Sequence, residues 1–312
     1  MNAPGSPSLR REAAASSRLL AVVQVVGLLL VGGYFLSRLD PSGLGALATP
    51  RAAAWLFAAF LAYSVGQLLN GLGWRHLLNR AGAEVSIGEM VKHDLSSVFW
   101  STIIPGGVAG ELVKGVRLAR GADAGSVATS ILSARLIGGM VSCLLALVFL
   151  PFSGFDGLVR AVGAAALAAT VLVAVLGLLA IRLGPAAMPA FIAARLPVGR
   201  LPAGRDLWLV LGLAVIAHSA FALVFSACFA AVGPWIPFGA GAVVCALTSV
   251  AQIVPVTVGG LGVRELTITS LGAVLVSAAT ADAAAIALAG TFTVFVVFGG
   301  LVELGRMLQR PR

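Results

Sequence analysis

A cluster of charged residues follows a Pro-Gly-Gly turn in the segment IIPGGVAGELVKGVRLAR, residues 103–120. After Glu111, the basic residues Lys114, Arg117 and Arg120 come at intervals of three in an otherwise strongly apolar chain. Carboxylate and guanidinium groups can pair with each other, and a guanidinium can also bind a phosphate through two parallel N–H donors. The pattern therefore indicates a site for a charged ligand or a set of structural ion pairs.

Arg135 lies near the middle of the apolar segment 126–151. A central arginine costs about 2.5–3.5 kcal/mol on membrane-insertion scales, so a favourable interaction must offset it. One interpretation is a phosphate-binding role, and the other is a structural pair with Glu111 or Glu265. The two interpretations are compatible with each other.

A second interrupted segment, AQIVPVTVGGLGVRELT at 251–267, resembles the first. Both contain Ile-x-Pro, a glycine pair and a glycine shortly before a glutamate. The paired glycines are Gly106, Gly107, Gly259 and Gly260. In the second segment Arg264 precedes Glu265, and neighbouring helical residues point about 100° apart, so we expect them not to pair.

The remaining polar residues have simpler interpretations. Lys114 and Arg120 are typical of surface charge attracted to anionic lipid, whereas Arg117 fits that role and a headgroup-binding role equally. His218 is the only histidine within a predicted span, and a lone intramembrane histidine usually forms an interhelical hydrogen bond. Gln67, Asn70 and Gln252 are expected to do the same, with lining of the cavity as the alternative.

The composition predicts an all-α polytopic membrane protein. Of 312 residues, 59% are hydrophobic and 11% are charged, compared with about 25% charged in soluble domains. The mean hydropathy is +1.03. A helix needs about 20 apolar residues to cross a bilayer. Six segments meet that length, at 19–36, 52–74, 126–151, 160–182, 207–233 and 282–304.

Two further apolar stretches, 95–104 and 238–279, are interrupted by Pro and Gly. A ten-residue helix is about 15 Å long, half of the ~30 Å hydrocarbon core. The first stretch therefore predicts a re-entrant hairpin, whose non-helical backbone must border protein or a watery cavity. If the second enters from the opposite side, the two form an inverted repeat around a midplane cavity. Eight spans without a second hairpin is the alternative.

The positive charges predict the orientation of the chain. With the N-terminus inside, sixteen Lys and Arg residues are cytoplasmic and three, Arg38, Arg51 and Arg160, are outside. This bias predicts that both termini are cytoplasmic. It also accounts for the net charge of +9 without a nucleic-acid partner. We expect a cytoplasmic tail at 1–18, linkers at 75–94 and 183–206, and one transmembrane domain at 19–308.

Three quoted segments together resemble a known family. They are IIPGGVAGELVKGVRLAR, SVATSILSARLIGG and VPVTVGGLGVRELTITSLG. They are similar to the flippase-like family, which includes the transmembrane region of lysyl-phosphatidylglycerol synthases (multiple peptide resistance factors) and stand-alone, hopanoid-associated relatives. The similarity covers roughly residues 15–308. It implies movement of a phospholipid or glycolipid across the bacterial cytoplasmic membrane.

The sequence also departs from that family. The synthases carry a soluble aminoacyl-transferase domain that this sequence lacks, so we expect no transferase activity. Family members tend to have an Arg in the helix after the second segment, but here that helix reads AIALAGTFTVFVVFGG. The two half-sites are therefore expected to be asymmetric.

The sequence does not favour an enzyme, a metal site or a cofactor. It contains no HExxH, no G-x-S-x-G and no nucleotide-binding P-loop, and its three cysteines have no metal-ligand spacing. The expected partners are membrane lipids with an anionic or phosphorylated headgroup. One alternative is an accessory subunit that holds a lipid-biosynthesis enzyme at the membrane. A weaker alternative is an intramembrane lipid-modifying enzyme with Glu111 and Glu265 as acid and base.

Overall fold

The computed structural model describes residues 45–103, 109–119, 123–184, 204–253 and 262–309. Within those segments the chain is helical and contains no β-strand. The helices are α1 (Pro50–Arg80), α2 (Ile87–Ile103), α3 (Ala109–Leu118), α4 (Ala124–Phe149), α5 (Gly157–Leu183), α6 (Arg205–Val232), α7 (Phe238–Ala251), α8 (Val263–Leu275) and α9 (Ala278–Leu308), with a 3₁₀ turn at Leu150–Phe152.

Five helices are long and apolar enough to cross a membrane, namely α1, α4 with its 3₁₀ extension, α5, α6 and α9. They correspond to five of the six predicted full spans. The sixth predicted span, at 19–36, and the tail at 1–18 lie outside the described residues. The described helices therefore confirm a multi-pass helical membrane protein.

Polar side chains fix where several of the long helices begin. Thr49 precedes Pro50, the first residue of α1, and its hydroxyl accepts a 3.1 Å hydrogen bond from the Ala52 amide. Asp123 does the same for α4, accepting from the Ser126 amide at 2.7 Å. That hydrogen bond holds the pKa of the Asp123 carboxyl below its usual value. Each cap satisfies an amide that the helix itself leaves unpaired.

The predicted linker at 75–94 is wrong. α1 continues to Arg80 and α2 begins at Ile87, so only six residues connect them. The polar side chains of this region bond within the structure: Arg75 Nε donates to the Val85 carbonyl and Asn79 Oδ1 accepts from the Val85 amide. These residues are polar because they form such contacts, and most of the segment is helical and not a loop. Most of the second predicted linker, 183–206, lies outside the described residues.

The two interrupted stretches form pairs of short helices. α2 has 17 residues and α3 has 10, which correspond to about 25 Å and 15 Å. α7 and α8 have 14 and 13 residues, about 20 Å each. All four are shorter than the ~30 Å hydrocarbon core. The glycine pairs at 106–107 and 259–260 fall outside the described residues. The inverted repeat and the total number of spans stay predictions.

Small residues allow the helices that border the charged cluster to approach closely. Gly110 of α3 packs against the Ser97 carbonyl of α2, and Gly299 of α9 packs against the Leu95 carbonyl, which also belongs to α2. A Cβ at either glycine would collide with that backbone oxygen. Such small-residue contacts replace the hydrophobic effect as a packing device inside membranes. They place α2 between α3 and α9.

Candidate functional site

The faces of α3 are reversed relative to an amphipathic helix of a soluble protein. Glu111, Lys114 and Arg117 point towards other helices and form ion pairs with them. Leu112 and Val116 point away from the protein and are 63% and 62% exposed. Soluble amphipathic helices bury the apolar face instead. The apolar face of α3 therefore suits contact with lipid, and its charged face lies inside the protein.

Glu111 and Arg135 form the first ion pair, between α3 and α4. Arg135 Nη2 lies 3.1 Å from Glu111 Oε1. The Arg135 side chain is nevertheless 57% exposed, and this is its one hydrogen bond within the described residues. A guanidinium has five N–H donors, so most of them stay available to a ligand. Of the two pairings considered for Arg135, the one with Glu111 is present and the one with Glu265 is not.

Lys114 and Asp94 form the second ion pair, between α3 and α2. Lys114 Nζ lies 2.6 Å from Asp94 Oδ1 and 3.3 Å from the centre of the Trp74 ring. Lys114 is only 5% exposed, so its predicted role as surface charge is wrong. The sequence pattern does not single out Asp94, because this residue falls at the end of the predicted linker 75–94. The available signal was an aspartate directly before the apolar stretch 95–104.

Arg117 and Glu303 form the third ion pair, between α3 and α9. Two nitrogens of Arg117 lie 2.7 Å from the two oxygens of Glu303, which is the strong bidentate geometry. Ser96 of α2 accepts from Arg117 Nη1 at 2.7 Å, and Arg306 also contacts Glu303. Arg117 therefore has a structural partner. Sequence analysis missed Glu303, which lies near the end of the last apolar run.

The six residues of these pairs are called the α3 charge cluster: Asp94, Glu111, Lys114, Arg117, Arg135 and Glu303. The cluster contains three acids and three bases, and each pair joins α3 to a different helix. Removing one partner of a buried pair leaves an uncompensated charge, which costs far more than the pair contributes. The pairs therefore fix α3 against α2, α4 and α9 together.

Arg264 and Glu265 form a separate buried pair at the start of α8. Arg264 Nε donates to Glu265 Oε1 at 2.9 Å, and Nη2 is also within hydrogen-bond distance of that oxygen. The prediction that they do not pair is wrong because Glu265 turns back to accept from the Gly262 amide at 2.6 Å. This brings its carboxylate within reach of the long arginine side chain. Arg264 also lies 4.4 Å from the Phe292 ring centre.

None of the predicted interhelical hydrogen bonds is present within the described segments. Gln252 Nε2 donates to the Thr248 carbonyl of its own helix at 3.2 Å. His218 Nε2 is buried and has no hydrogen-bond partner within the described segments. The histidine instead packs against Phe221, with ring centres 5.5 Å apart.

Comparison with known families decides the classification. A model of the lysylphosphatidylglycerol synthase transmembrane region matches residues 19–300. The chain belongs to this family. The match confirms the resemblance and suggests a membrane lipid-related role. No curated protein matches the chain.

The family match covers most of the charged groups described above. It includes both interrupted segments and five of the six residues of the α3 charge cluster. Glu303 lies three residues beyond its end. The ion pair between α3 and α9 is therefore a feature of this structure that the family match does not include.

Proposed function

We propose that this protein moves a lipid with a phosphorylated headgroup, a phospholipid or a glycolipid, across the bacterial cytoplasmic membrane. The observation that carries the proposal is Arg135, a half-exposed guanidinium on a membrane-spanning helix with a single hydrogen bond to Glu111. No catalytic residue, metal or cofactor is part of the proposal.

The depth of Arg135 supports this function. It is the twelfth residue of α4, about 17 Å from the start of that helix and so near the middle of a ~30 Å core. An exposed cation at that depth is unfavourable in lipid. Its open face therefore needs water or a polar ligand. A phosphate offers two oxygens in the geometry that a guanidinium matches.

The outward-facing apolar side of α3 supports the same function, because it offers a surface for the lipid tails. Its outward residues Leu112 and Val116 are compatible with acyl chains, whereas Glu111 on its other side holds Arg135. A lipid can thus keep its tails in the bilayer while its headgroup passes Arg135. Since the sequence has no nucleotide-binding loop, the energy must come from a gradient, a partner or consumption of the moved lipid.

The test is a translocation assay in liposomes. Purified protein is reconstituted with a trace of tail-labelled phosphatidylglycerol, and dithionite, which does not cross the membrane, reduces the label in the outer leaflet. Wild type should lose nearly all fluorescence. Arg135→Ala should lose about half, as protein-free liposomes do, because the phosphate has no binding group at mid-depth. Arg182→Ala, at the exposed end of α5, is the matched control and should behave like wild type.

The assay also separates the competing functions. Lipid movement would be contradicted if dithionite reduces only half of the labelled lipid in liposomes that contain folded wild-type protein. This result would have to hold with and without a proton gradient and for several headgroups. The accessory-subunit function would then be preferred, and co-purification with a lipid-biosynthesis enzyme would test it directly. Accumulation of a modified lipid in the same liposomes would instead favour the intramembrane enzyme.

A further inference from the structure

Three helices bring uncharged polar groups together at Gly138. His218 comes from α6 and Asn70 from α1. A Cβ at Gly138 would lie 2.9 Å from His218 Nε2 and 3.9 Å from Asn70 Oδ1. A Cβ at this position would therefore displace the imidazole. The neighbouring Gly139 has no atom within 4 Å of the equivalent position.

The Nε2 atom of His218 makes no hydrogen bond to any residue that the structure describes. The nitrogen is also buried. Leaving such a group unpaired is costly, and each exception in a structure calls for an explanation such as a ligand. Asn70 also makes no hydrogen bond with any residue that the structure describes, and its side chain offers both donors and an acceptor.

The position of this site relates it to Arg135. Gly138 is three residues after Arg135 on α4, and residues at that spacing are neighbours on one helix face, with Cβ atoms about 5–6 Å apart. His218 and Asn70 therefore lie one helical turn along α4 from the exposed guanidinium. A single headgroup can reach both.

A line of aromatic contacts continues from His218 towards the second charged site. The ring of Phe221 lies 5.5 Å from His218 and 5.5 Å from Tyr63. Tyr63 lies 6.3 Å from Phe292, whose ring is 4.4 Å from Arg264. Neighbouring side chains thus lead from His218 to the buried Arg264–Glu265 pair.

We propose that His218 and Asn70 bind the hydroxyl groups of a polyol headgroup, glycerol or sugar, while Arg135 binds its phosphate. Imidazole and amide groups combine donors and acceptors without fixed charge, which suits hydroxyls. The proposal rests on the proposed function, because it assigns the hydroxyl groups of the same headgroup whose phosphate Arg135 is proposed to bind. It makes these two residues the determinants of headgroup specificity.

The first experiment compares two substitutions on adjacent glycines. Tail-labelled phosphatidylglycerol has two headgroup hydroxyls, and tail-labelled phosphatidylcholine has none. Wild type should move the first roughly tenfold faster, as expected when one or two hydrogen bonds to the headgroup are gained. Gly138→Ala should bring the two rates together by filling the site, whereas Gly139→Ala should keep the wild-type ratio. An unchanged ratio in Gly138→Ala, or no preference in wild type, would overturn the proposal.

The second experiment does not depend on translocation. The chain has three histidines, so ¹⁵N-histidine NMR in detergent can follow each of them, with His218→Gln assigning the signal. Phosphatidylglycerol should shift the Nε2 signal of His218, and phosphatidylcholine should not. If wild type moves neither lipid, the proposed function fails, and this spectrum still decides whether the site binds hydroxyls. A His218 signal that responds to neither lipid, or equally to both, would contradict the inference.

Discussion

At the scale of single residues, the ion pairs of α3 explain why so many charges occur in an apolar chain. Glu111, Lys114 and Arg117 each face a carboxylate or guanidinium of another helix at 3.1 Å or less. Two of the three pairs are largely enclosed by protein, and the pair with Arg135 is half open. The open pair is the one suited to exchanging its partner for a ligand.

Lys114 provides a stability prediction at this scale. Lys114→Ala removes the ion-pair partner of Asp94 and leaves that carboxylate largely enclosed by protein. We expect a loss of about 3 kcal/mol in the free energy of unfolding, since breaking a buried pair from one side is strongly destabilising. Denaturant unfolding in mild detergent measures it.

The control for this prediction is Lys92→Ala, because Lys92 is an exposed lysine of α2. It should change the free energy of unfolding by less than about 0.5 kcal/mol. The double variant Lys114→Met with Asp94→Leu should recover much of the loss. Equal effects of the two lysine variants would show that the Lys114–Asp94 pair contributes nothing.

At the scale of elements, the short helix α2 determines where α3 lies. It contacts α3 through Gly110 and α9 through Gly299, and in both places a backbone carbonyl occupies the space of a Cβ. The charged residues of α3 can therefore reach α9, with Glu303 accepting from Arg117. The packing of small residues and the ion pairs depend on each other.

Gly299→Ala tests this packing. The new Cβ would collide with the Leu95 carbonyl, so α9 must move away from α2. We expect a destabilisation of about 1–3 kcal/mol, the range for overpacking a close contact. Thermal unfolding followed by circular dichroism measures the change.

Gly305→Ala is the matched variant on the same helix, because no atom lies within 4 Å of its Cβ position. It should leave stability unchanged or slightly raised, since alanine favours a helix over glycine by up to about 1 kcal/mol. A loss as large as that of Gly299→Ala would mean that glycine flexibility in α9, and not the contact with α2, is important.

At the scale of the whole molecule, the distribution of positive charge predicts the orientation in the membrane. Lys and Arg fall mainly on one predicted side, sixteen against three. We propose that this side is the cytoplasm and that both termini lie there. The α4–α5 connection, which contains Asp156, then faces outward, and Gln309 at the end of α9 faces the cytoplasm.

Cysteine labelling tests this orientation. The three native cysteines are buried, so we expect them to react little with a membrane-impermeant maleimide. Asp156→Cys should react in intact cells, and Gln309→Cys should react only after the cytoplasmic side is opened; both positions are exposed. The reverse pattern would invert the topology, and labelling of both in intact cells would contradict the expected odd number of crossings between them.

The sequence by itself determined the class of protein. Five predicted spans agree with long apolar helices of the structure, because crossing ~30 Å of hydrocarbon requires about 20 apolar residues in a row. The interrupted segments were also visible, since Pro and Gly end helices wherever they occur. Arg135 and Glu111 were recognised because charges are rare in such segments and must be compensated.

Only the tertiary structure decided which charges meet. Asp94 and Glu303 are 20 and 186 residues away in sequence from their partners on α3, so no local pattern could relate them. The structure also reversed the expected faces of α3, because in lipid the apolar side faces outward and the charges are stable only when enclosed. The pairing of Arg264 with Glu265 also depended on the tertiary structure. The Glu265 side chain turns back to accept from the Gly262 amide at the start of α8, and the angular spacing of residues along a helix does not predict that turn.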